Sequence, residues 1–275
     1  MTAGLLFNGA SSAPELAWHR GLHYGDGVFR TCLIYASDVI DIKEQLEKLS
    51  HDCQALGLDP PPVELLAREA ATLAAGQPRA VLKLMLMRAG NERGYRSAAT
   101  GCDRLLCRYP APLYAAAGWE RGVRAARSGF QLAAQPALAG IKHLNRLEQV
   151  LASRGWDKSV DEVIVGDNAG RPLSGTRSNL FWVGGGALRT PALEQCGVAG
   201  LMRDKVLAAA AALGVPVEVA AGTWDEFDGA DEAFLTNSLV GIWPLASLDA
   251  RRWAAPGPVT RRLMERLRHP RLVNA

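Results

Sequence analysis

Ile141-Lys142-His143-Leu144-Asn145-Arg146-Leu147-Glu148-Gln149-Val150 sets a lysine between a glycine, Gly140, and a train of apolar residues. Leu144, Leu147, Val150 and Leu151 recur at helical spacing, which predicts an amphipathic helix from Lys142 to about Arg154. On that reading the lysine stands where a strand or loop enters a helix, a fixed backbone point from which an amine can reach a pocket. A lone lysine is ordinarily a solvated surface charge, so the segments on either side have to decide its role.

Upstream, Leu5 to Phe7 reads as a short strand, and Leu46, Leu49, Cys53 and Leu56 share one helical face within residues 44–56, closed by Gly57. Pro60-Pro61-Pro62 breaks the chain before a second helix over Val63 to Ala75. Leu82, Leu84 and Leu86 alternate strictly in a buried strand from Ala80 to Met87, and Asp103 to Arg108 reads as another. Tyr109-Pro110-Ala111-Pro112 interrupts regular structure, with a linker over residues 113–118. Downstream, short β segments near 119–130 precede the Lys142 helix. Strands follow at Glu162 to Val165 and Asn179 to Val183, an alanine-rich helix at Met202 to Leu213, and strands near 215–219, 232–236 and 241–247. The mixture predicts an α/β (α+β) chain of two domains, residues 1–112 and 119–275.

Bulk properties exclude several classes. The chain has 275 residues, 48% hydrophobic and 21% charged, which suits a soluble globular protein. A net charge of +3 gives no basis for nucleic-acid binding through phosphate neutralisation. Five scattered cysteines without CxxC or zinc-type spacing fit reduced thiols in a cytoplasmic protein, with no metal site expected. The segment from Met1 to Gly9 lacks a basic, apolar leader pattern, and no apolar run approaches the ~18 residues of a membrane helix.

Four motifs in register carry a resemblance. Arg20-Gly21-Leu22-His23-Tyr24-Gly25-Asp26-Gly27-Val28-Phe29 resembles the early glycine-rich signature of fold-type IV pyridoxal-phosphate enzymes. That family includes D-amino-acid and branched-chain aminotransferases and 4-amino-4-deoxychorismate lyases. The run Lys142 to Gln149 is more similar to the lyases than to either aminotransferase, and Ser178-Asn179-Leu180-Phe181-Trp182 and Asn237-Ser238-Leu239-Val240-Gly241-Ile242-Trp243-Pro244 are similar to them too. The resemblance spans residues 5 to about 248. It implies a smaller N-terminal α/β domain, a larger C-terminal β-barrel-like domain with helices carrying the cofactor lysine, and a homodimer acting on a small-molecule substrate.

The resemblance further implies that Lys142 is the Schiff-base lysine for pyridoxal 5′-phosphate and the proton-transfer base. A lysine can serve so only where desolvation or a nearby cation leaves its amine partly neutral. Leu201 and Met202 open the alanine-rich helix, whose free N–H groups suit a phosphate. Asn237 and Ser238 match further phosphate-binding positions, and the usual phosphate arginine falls on Lys48, a point charge without the bidentate fork. Where the family places a glutamate against the pyridine nitrogen, this chain has Ser174. Asn145 is placed to face the cofactor's phenolic oxygen or to pack on a helix surface.

For a substrate with two carboxylates, the candidates are Arg88 and Arg93, in a loop that also holds Arg96. Tyr24, Tyr95 and Tyr109 are candidates to wall the ring, and Thr31 is a candidate hydroxyl for protonating enolpyruvate. An arginine that often precedes the lysine motif is replaced here by Ala134. The expected reaction is elimination from 4-amino-4-deoxychorismate to 4-aminobenzoate and pyruvate in folate synthesis. The alternatives are a fold-type IV aminotransferase for D-amino acids, branched-chain amino acids or amines, and a degenerate cofactor-binding scaffold without turnover.

Overall fold

A computed structural model describes residues 4–154, 156–157 and 159–273; the first three residues, which entered the reading of the N-terminus, and the last two, within the expected second domain, lie outside the described residues. The chain forms two compact units, residues 1–112 with 141–146, and residues 113–140 with 147–275.

The first unit contains β1 (Gly4–Phe7), α1 (Arg20–Tyr24), β2 (Gly27–Tyr35), β3 (Asp38–Val39), α2 (Ile42–Ala55), α3 (Val63–Ala74), β4 (Arg79–Arg88) and β5 (Cys102–Pro110). Its antiparallel sheet runs in the order β1-β5-β4-β2-β3. The alternation read in β4 sorts its two faces. Leu82, Leu84 and Leu86 join Leu46, Leu49 and Cys53 of α2 and Leu66 and Ala70 of α3 in one core. Each such leucine removed from water contributes about 1.5–3 kcal/mol. Met85 and Met87 lie on the other face with Phe29 and Leu105.

β2 has no counterpart in the sequence reading. Eight of its nine residues are buried or half-buried, so it lacks the polar alternation of a half-exposed strand.

The second unit contains α4 (Ala117–Glu120), β6 (Val123–Leu132), α5 (Leu147–Ala152), β7 (Glu162–Asp167), β8 (Pro172–Gly175), β9 (Asn179–Gly184), β10 (Ala187–Thr190), α6 (Leu201–Ala212), β11 (Val217–Val219), α7 (Trp224–Asp228), β12 (Glu232–Asn237), β13 (Gly241–Leu248), β14 (Arg251–Arg252) and α8 (Pro258–Leu267). The sheet order β11-β10-β9-β12-β13-β6-β7-β8, with β8 also paired to β9, closes a barrel from β9, β12, β13, β6, β7 and β8. Closure leaves those strands without a free edge. Leu180, Trp182, Leu235 and Trp243 pack on one face with Trp119 and Phe227. Phe181, Val183, Phe234 and Ile242 pack on the other against Val206 and Ala210 of α6 and Leu263 of α8.

Three expectations are corrected. Residues 113–118 are no free linker: Tyr114 N–H bonds the Leu272 carbonyl, its ring packs 4.8 Å from that of Trp243, and α4 has already begun. The helix expected from Lys142 starts only at Leu147, and Leu147 and Val150 are 67% and 56% exposed, so their spacing marks no buried stripe. Residues 141–146 group with the first unit, whereas the sequence reading put Lys142 in the second domain. The helix α8 was not read at all; its first turn is held by Glu232 of β12, whose carboxylate accepts from the N–H groups of Val259 and Thr260 at 2.8 Å each.

Candidate functional site

Lys142 stands on an extended segment because the backbone there has better partners than a helix offers. Phe29 N–H donates to the Lys142 carbonyl at 2.9 Å, and Leu144 N–H donates to the Gly27 carbonyl at 2.9 Å. His143 thus bridges Val28 antiparallel, and the segment covers the otherwise open beginning of β2. Lys142's own N–H donates to Asp52 Oδ2 of α2 at 3.1 Å. Both polar groups of this residue's backbone are therefore fixed, and the amine projects over Phe29, 4.5 Å from its ring centroid.

That setting depresses the amine's pKa to about 7. Burial is the main cause; the cations Arg146 and Arg30 add to it, Asp52 opposes them, and Lys83 contributes slightly. His143 is pushed down to about 4, again chiefly by burial, and is neutral at pH 7. Near neutrality Lys142 therefore holds a substantial neutral fraction, which an ordinary lysine does not. In cofactor-free protein, the rate of acylation or reductive alkylation at Lys142 is expected to rise through pH about 7. Peptide mapping across a pH series checks this; a rise only near pH ~10, where ordinary lysines lose their proton, contradicts it.

The same sheet face carries Lys83 and Cys107, which the sequence reading passed over, beside the expected Thr31 and Tyr109. Lys83 lies with its amine 4.7 Å from the Phe29 ring centroid, and burial lowers its pKa too. Thr31 sits opposite Lys83 across the β2–β4 pair, and Cys107 opposite Lys83 across β4–β5. Tyr109, two residues beyond Cys107, falls on this face and is 46% exposed. Lys83 was legible as the one cation in the run Val81-Leu82-Lys83-Leu84.

Other expected residues of the first unit take structural places. Arg88 does not present a free guanidinium: it pairs with Asp26 at 3.0 Å and donates to the carbonyls of Leu56, Gly57 and Ala99, so it clamps loops. The physical reason is that three loop carbonyls and one carboxylate already use its donors. Arg93 is exposed, and Tyr95 is 90% exposed with its ring 5.5 Å from that of Tyr24. Tyr24 accepts from Gly94 N–H at 2.9 Å, which ties α1 to that loop. Asn145 donates to the Gly25 carbonyl at 3.2 Å, bracing a left-handed turn (φ 64°). Lys48 is half-buried on α2, and its carbonyl accepts from Arg30.

In the second unit, Asn179 gathers three of the expected segments. It pairs across strands with Ser174 of β8 and Thr236 of β12. Its side chain donates to the Val198 carbonyl at 2.7 Å and accepts from Gly200 N–H at 3.2 Å. These bonds set the start of α6, where Leu201 and Met202 are buried and no side chain caps the helix. Asn237, one residue past Thr236, spends its Oδ1 on the N–H groups of Leu239 and Val240, at 2.9 and 3.1 Å, shaping the turn that holds Ser238. Ser174 is 7% exposed on the closing strand. Glu162, 1% exposed, holds the next turn by accepting from Thr176 Oγ1 at 2.6 Å. No cluster of metal-ligating side chains and no helix suited to crossing a membrane occurs among the described residues.

Comparison with known proteins places this geometry in context. The family model for amino-transferase class IV matches residues 27–248. The aminodeoxychorismate lyase of Vibrio harveyi is 31% identical over 253 residues, covering 90% of this chain and 93% of that protein. A putative branched-chain-amino-acid aminotransferase of Methanocaldococcus jannaschii is 30% identical over 263 residues, covering 93% and 91%. Among solved structures, the 4-amino-4-deoxychorismate lyase from Pseudomonas aeruginosa matches with a TM-score of 0.89 at 37% identity, covering 97% of this chain and 98% of its own. The branched-chain aminotransferase of Thermoproteus uzoniensis matches with a TM-score of 0.82 at 24% identity, over 96% and 93%, a likeness of fold.

Proposed function

Because this chain belongs to the amino-transferase class IV family, whose members use pyridoxal 5′-phosphate, we propose that it converts 4-amino-4-deoxychorismate into 4-aminobenzoate and pyruvate. The observation that carries this reading is the contrast in sequence identity to solved structures over nearly the whole chain: 37% to a lyase against 24% to a branched-chain aminotransferase. The product class places the enzyme on a route to folate.

The residues present suit the cofactor. An aldehyde condenses with a neutral primary amine, and Lys142, with its pKa lowered to about 7, holds one in substantial fraction near neutrality. The uncapped start of α6 at Leu201 and Met202, together with the Asn237-Ser238 turn gathered by Asn179, suits a phosphate. Lys48 and Ser174 keep, as proposals, the roles that the family resemblance gives them, toward the phosphate and toward the ring nitrogen. Pyridoxal phosphate, when bound, would supply an electrophilic aldehyde and an electron-withdrawing ring.

The neutral amine of Lys142 then takes the proton from the substrate carbon bearing the amino group. Its fixed peptide limits the directions from which it can do so. Lys83 offers a cation to a substrate carboxylate; an anion beside it offsets the burial that lowers its pKa. Thr31 and Tyr109 complete that face, and Arg93 and Tyr95 are proposed to approach the substrate from their exposed loop. Loss of enolpyruvate makes the ring aromatic, which drives the reaction with less help from the cofactor.

Ser174 is consistent with that lighter demand, since a hydroxyl hydrogen-bonds a ring nitrogen but does not hold it charged as a carboxylate does. Ser174→Glu is expected to raise transaminase side activity relative to the lyase rate, measured as 2-oxo acid against 4-aminobenzoate. Unchanged rates for both would remove Ser174 from this role.

The direct test is incubation of the cofactor-loaded enzyme with 4-amino-4-deoxychorismate, D-alanine and branched-chain amino acids. The expected result is equimolar 4-aminobenzoate and pyruvate from the first. Keto-acid formation from the amino acids instead would favour the aminotransferase reading, to which the 30% identity to the M. jannaschii protein lends weight. No turnover of any of them would favour the scaffold without turnover. The enzyme is further proposed to be a cytoplasmic homodimer, supported by its free cysteines and by Trp18, Leu22, Leu147 and Val150 left largely exposed. Light scattering should give twice the 29.5 kDa chain mass; a mass of one chain opposes the dimer.

A further inference from the structure

Arg30 and Asp52 are each 2% exposed, one on β2 and the other on α2. Arg30 Nη2 donates to Asp52 Oδ2, and that same oxygen accepts the backbone N–H of Lys142 at 3.1 Å. Arg30 Nη2 also lies 3.2 Å from the Lys48 carbonyl. A buried ion pair of this kind is poor value as a stabiliser, because desolvating both charges offsets most of their attraction. Apolar side chains of similar size would hold β2 to α2 as well. They would not give the Lys142 N–H an acceptor, and they would not set a matched pair of charges acting on its amine.

We propose that Arg30 and Asp52 are a positioning pair for Lys142: Asp52 pins the peptide from which the amine projects, and Arg30 keeps that carboxylate ionised while cancelling its field at the amine. This rests on Lys142 being the cofactor lysine. Four charged groups act on the amine: Arg30 from β2, Asp52 from α2, Lys83 from β4 and Arg146 from its own segment. His143 is neutral beside it. On α2, Lys48 and His51 also act on Asp52, whose carboxyl burial holds above the usual carboxylate range while Arg30 opposes that rise. Among these, Asp52 is the group that favours a protonated amine, and Arg30 opposes it.

The pair therefore makes a prediction that a purely structural role does not. Asp52→Asn keeps the shape and an acceptor oxygen but leaves Arg30 unbalanced, so the Lys142 amine should titrate lower by about one pH unit. Arg30→Met removes a cation that acts against protonation of the amine, so the titration should move up. Joining Arg30→Met to Asp52→Leu removes both fields and should return the amine close to its wild-type titration, while the Lys142 amide loses hydrogen-exchange protection.

The experiment measures pH-dependent modification of Lys142 and its amide exchange in cofactor-free protein, with a pH titration of the visible absorbance of the loaded enzyme. Opposite shifts in the two single variants support the proposal. Shifts of the same sign, or none, overturn it. Should Arg30→Met fail to fold, an unshifted or upward titration in Asp52→Asn is enough to overturn it, and a downward shift with a folded chain supports it. Borohydride reduction of the wild-type enzyme, followed by peptide mapping, tests the underlying assignment of Lys142 separately.

Discussion

Lys142→Ala is expected to lower turnover of 4-amino-4-deoxychorismate by about 10³-fold or more while leaving the fold intact, the scale seen when a positioned proton-transfer group is removed. The amine is the chemically active part of this residue: its peptide is held by Asp52 and Phe29 whichever side chain it bears. The variant should also lose its yellow, covalently trapped cofactor. Its stability has a testable pH signature in cofactor-free protein. The folded amine has a pKa near 7 against an ordinary value of 10.5, so between these values the unfolded chain binds the extra proton. Wild-type stability should therefore rise from pH about 7 to pH about 10.5 on this account, and the alanine variant should lack that rise. Denaturant titrations across the window check it. Parallel curves would mean that the amine is not desolvated in the folded protein.

Gly27→Ala is the second large effect, and it acts through space. A Cβ on Gly27 would stand 2.4 Å from the Leu86 carbonyl oxygen and 2.9 Å from the Met87 Cα, both backbone atoms that no rotamer change can move. The β2–β4 pair must open at its first residues, at a cost of about 1–3 kcal/mol for overpacking. Gly27's carbonyl also accepts from Leu144, so the displacement reaches the segment that carries Lys142. A drop in Tm together with a fall in kcat is expected. Gly184→Ala, with open space around its Cβ position, serves as the control and should change neither. A Gly27→Ala enzyme with wild-type Tm and kcat would contradict the packing described for β2.

The elements legible in the sequence are those with one covered face or clear punctuation. Leu82, Leu84 and Leu86 alternate because α2 and α3 cover that face of β4, and Gly57, in a left-handed conformation just past α2, marks that helix's end. The alanine-rich run of α6 and the strands β7, β9, β12 and β13 were also readable. What escaped reading depends on partners far along the chain. β2 is covered on both faces, and the 141–146 segment is extended because Gly27 and Phe29, more than a hundred residues earlier, take its backbone bonds. α8 draws its cap from Glu232.

The candidate site divides in the same way. Lys142 stood out from its motif, and the start of α6 from the alanine-rich run that Leu201 and Met202 open. Arg88 looked like a substrate cation because spacing does not reveal that Asp26 and three carbonyls occupy it. Asn179 drew no notice as an organiser, since its role rests on meeting Ser174, Thr236 and Gly200 at once. The Arg30–Asp52 pair gave no local signal, its members lying twenty-two residues apart on a strand and a helix.

The most direct measurement is borohydride reduction of the pyridoxal-phosphate-loaded protein, followed by proteolysis and mass mapping of the phosphopyridoxyl group. The account predicts the label on the peptide containing Ile141-Lys142-His143, at Lys142. A label on Lys83, Lys48 or any other lysine, or a protein that stays colourless and unlabelled with added cofactor, would contradict it.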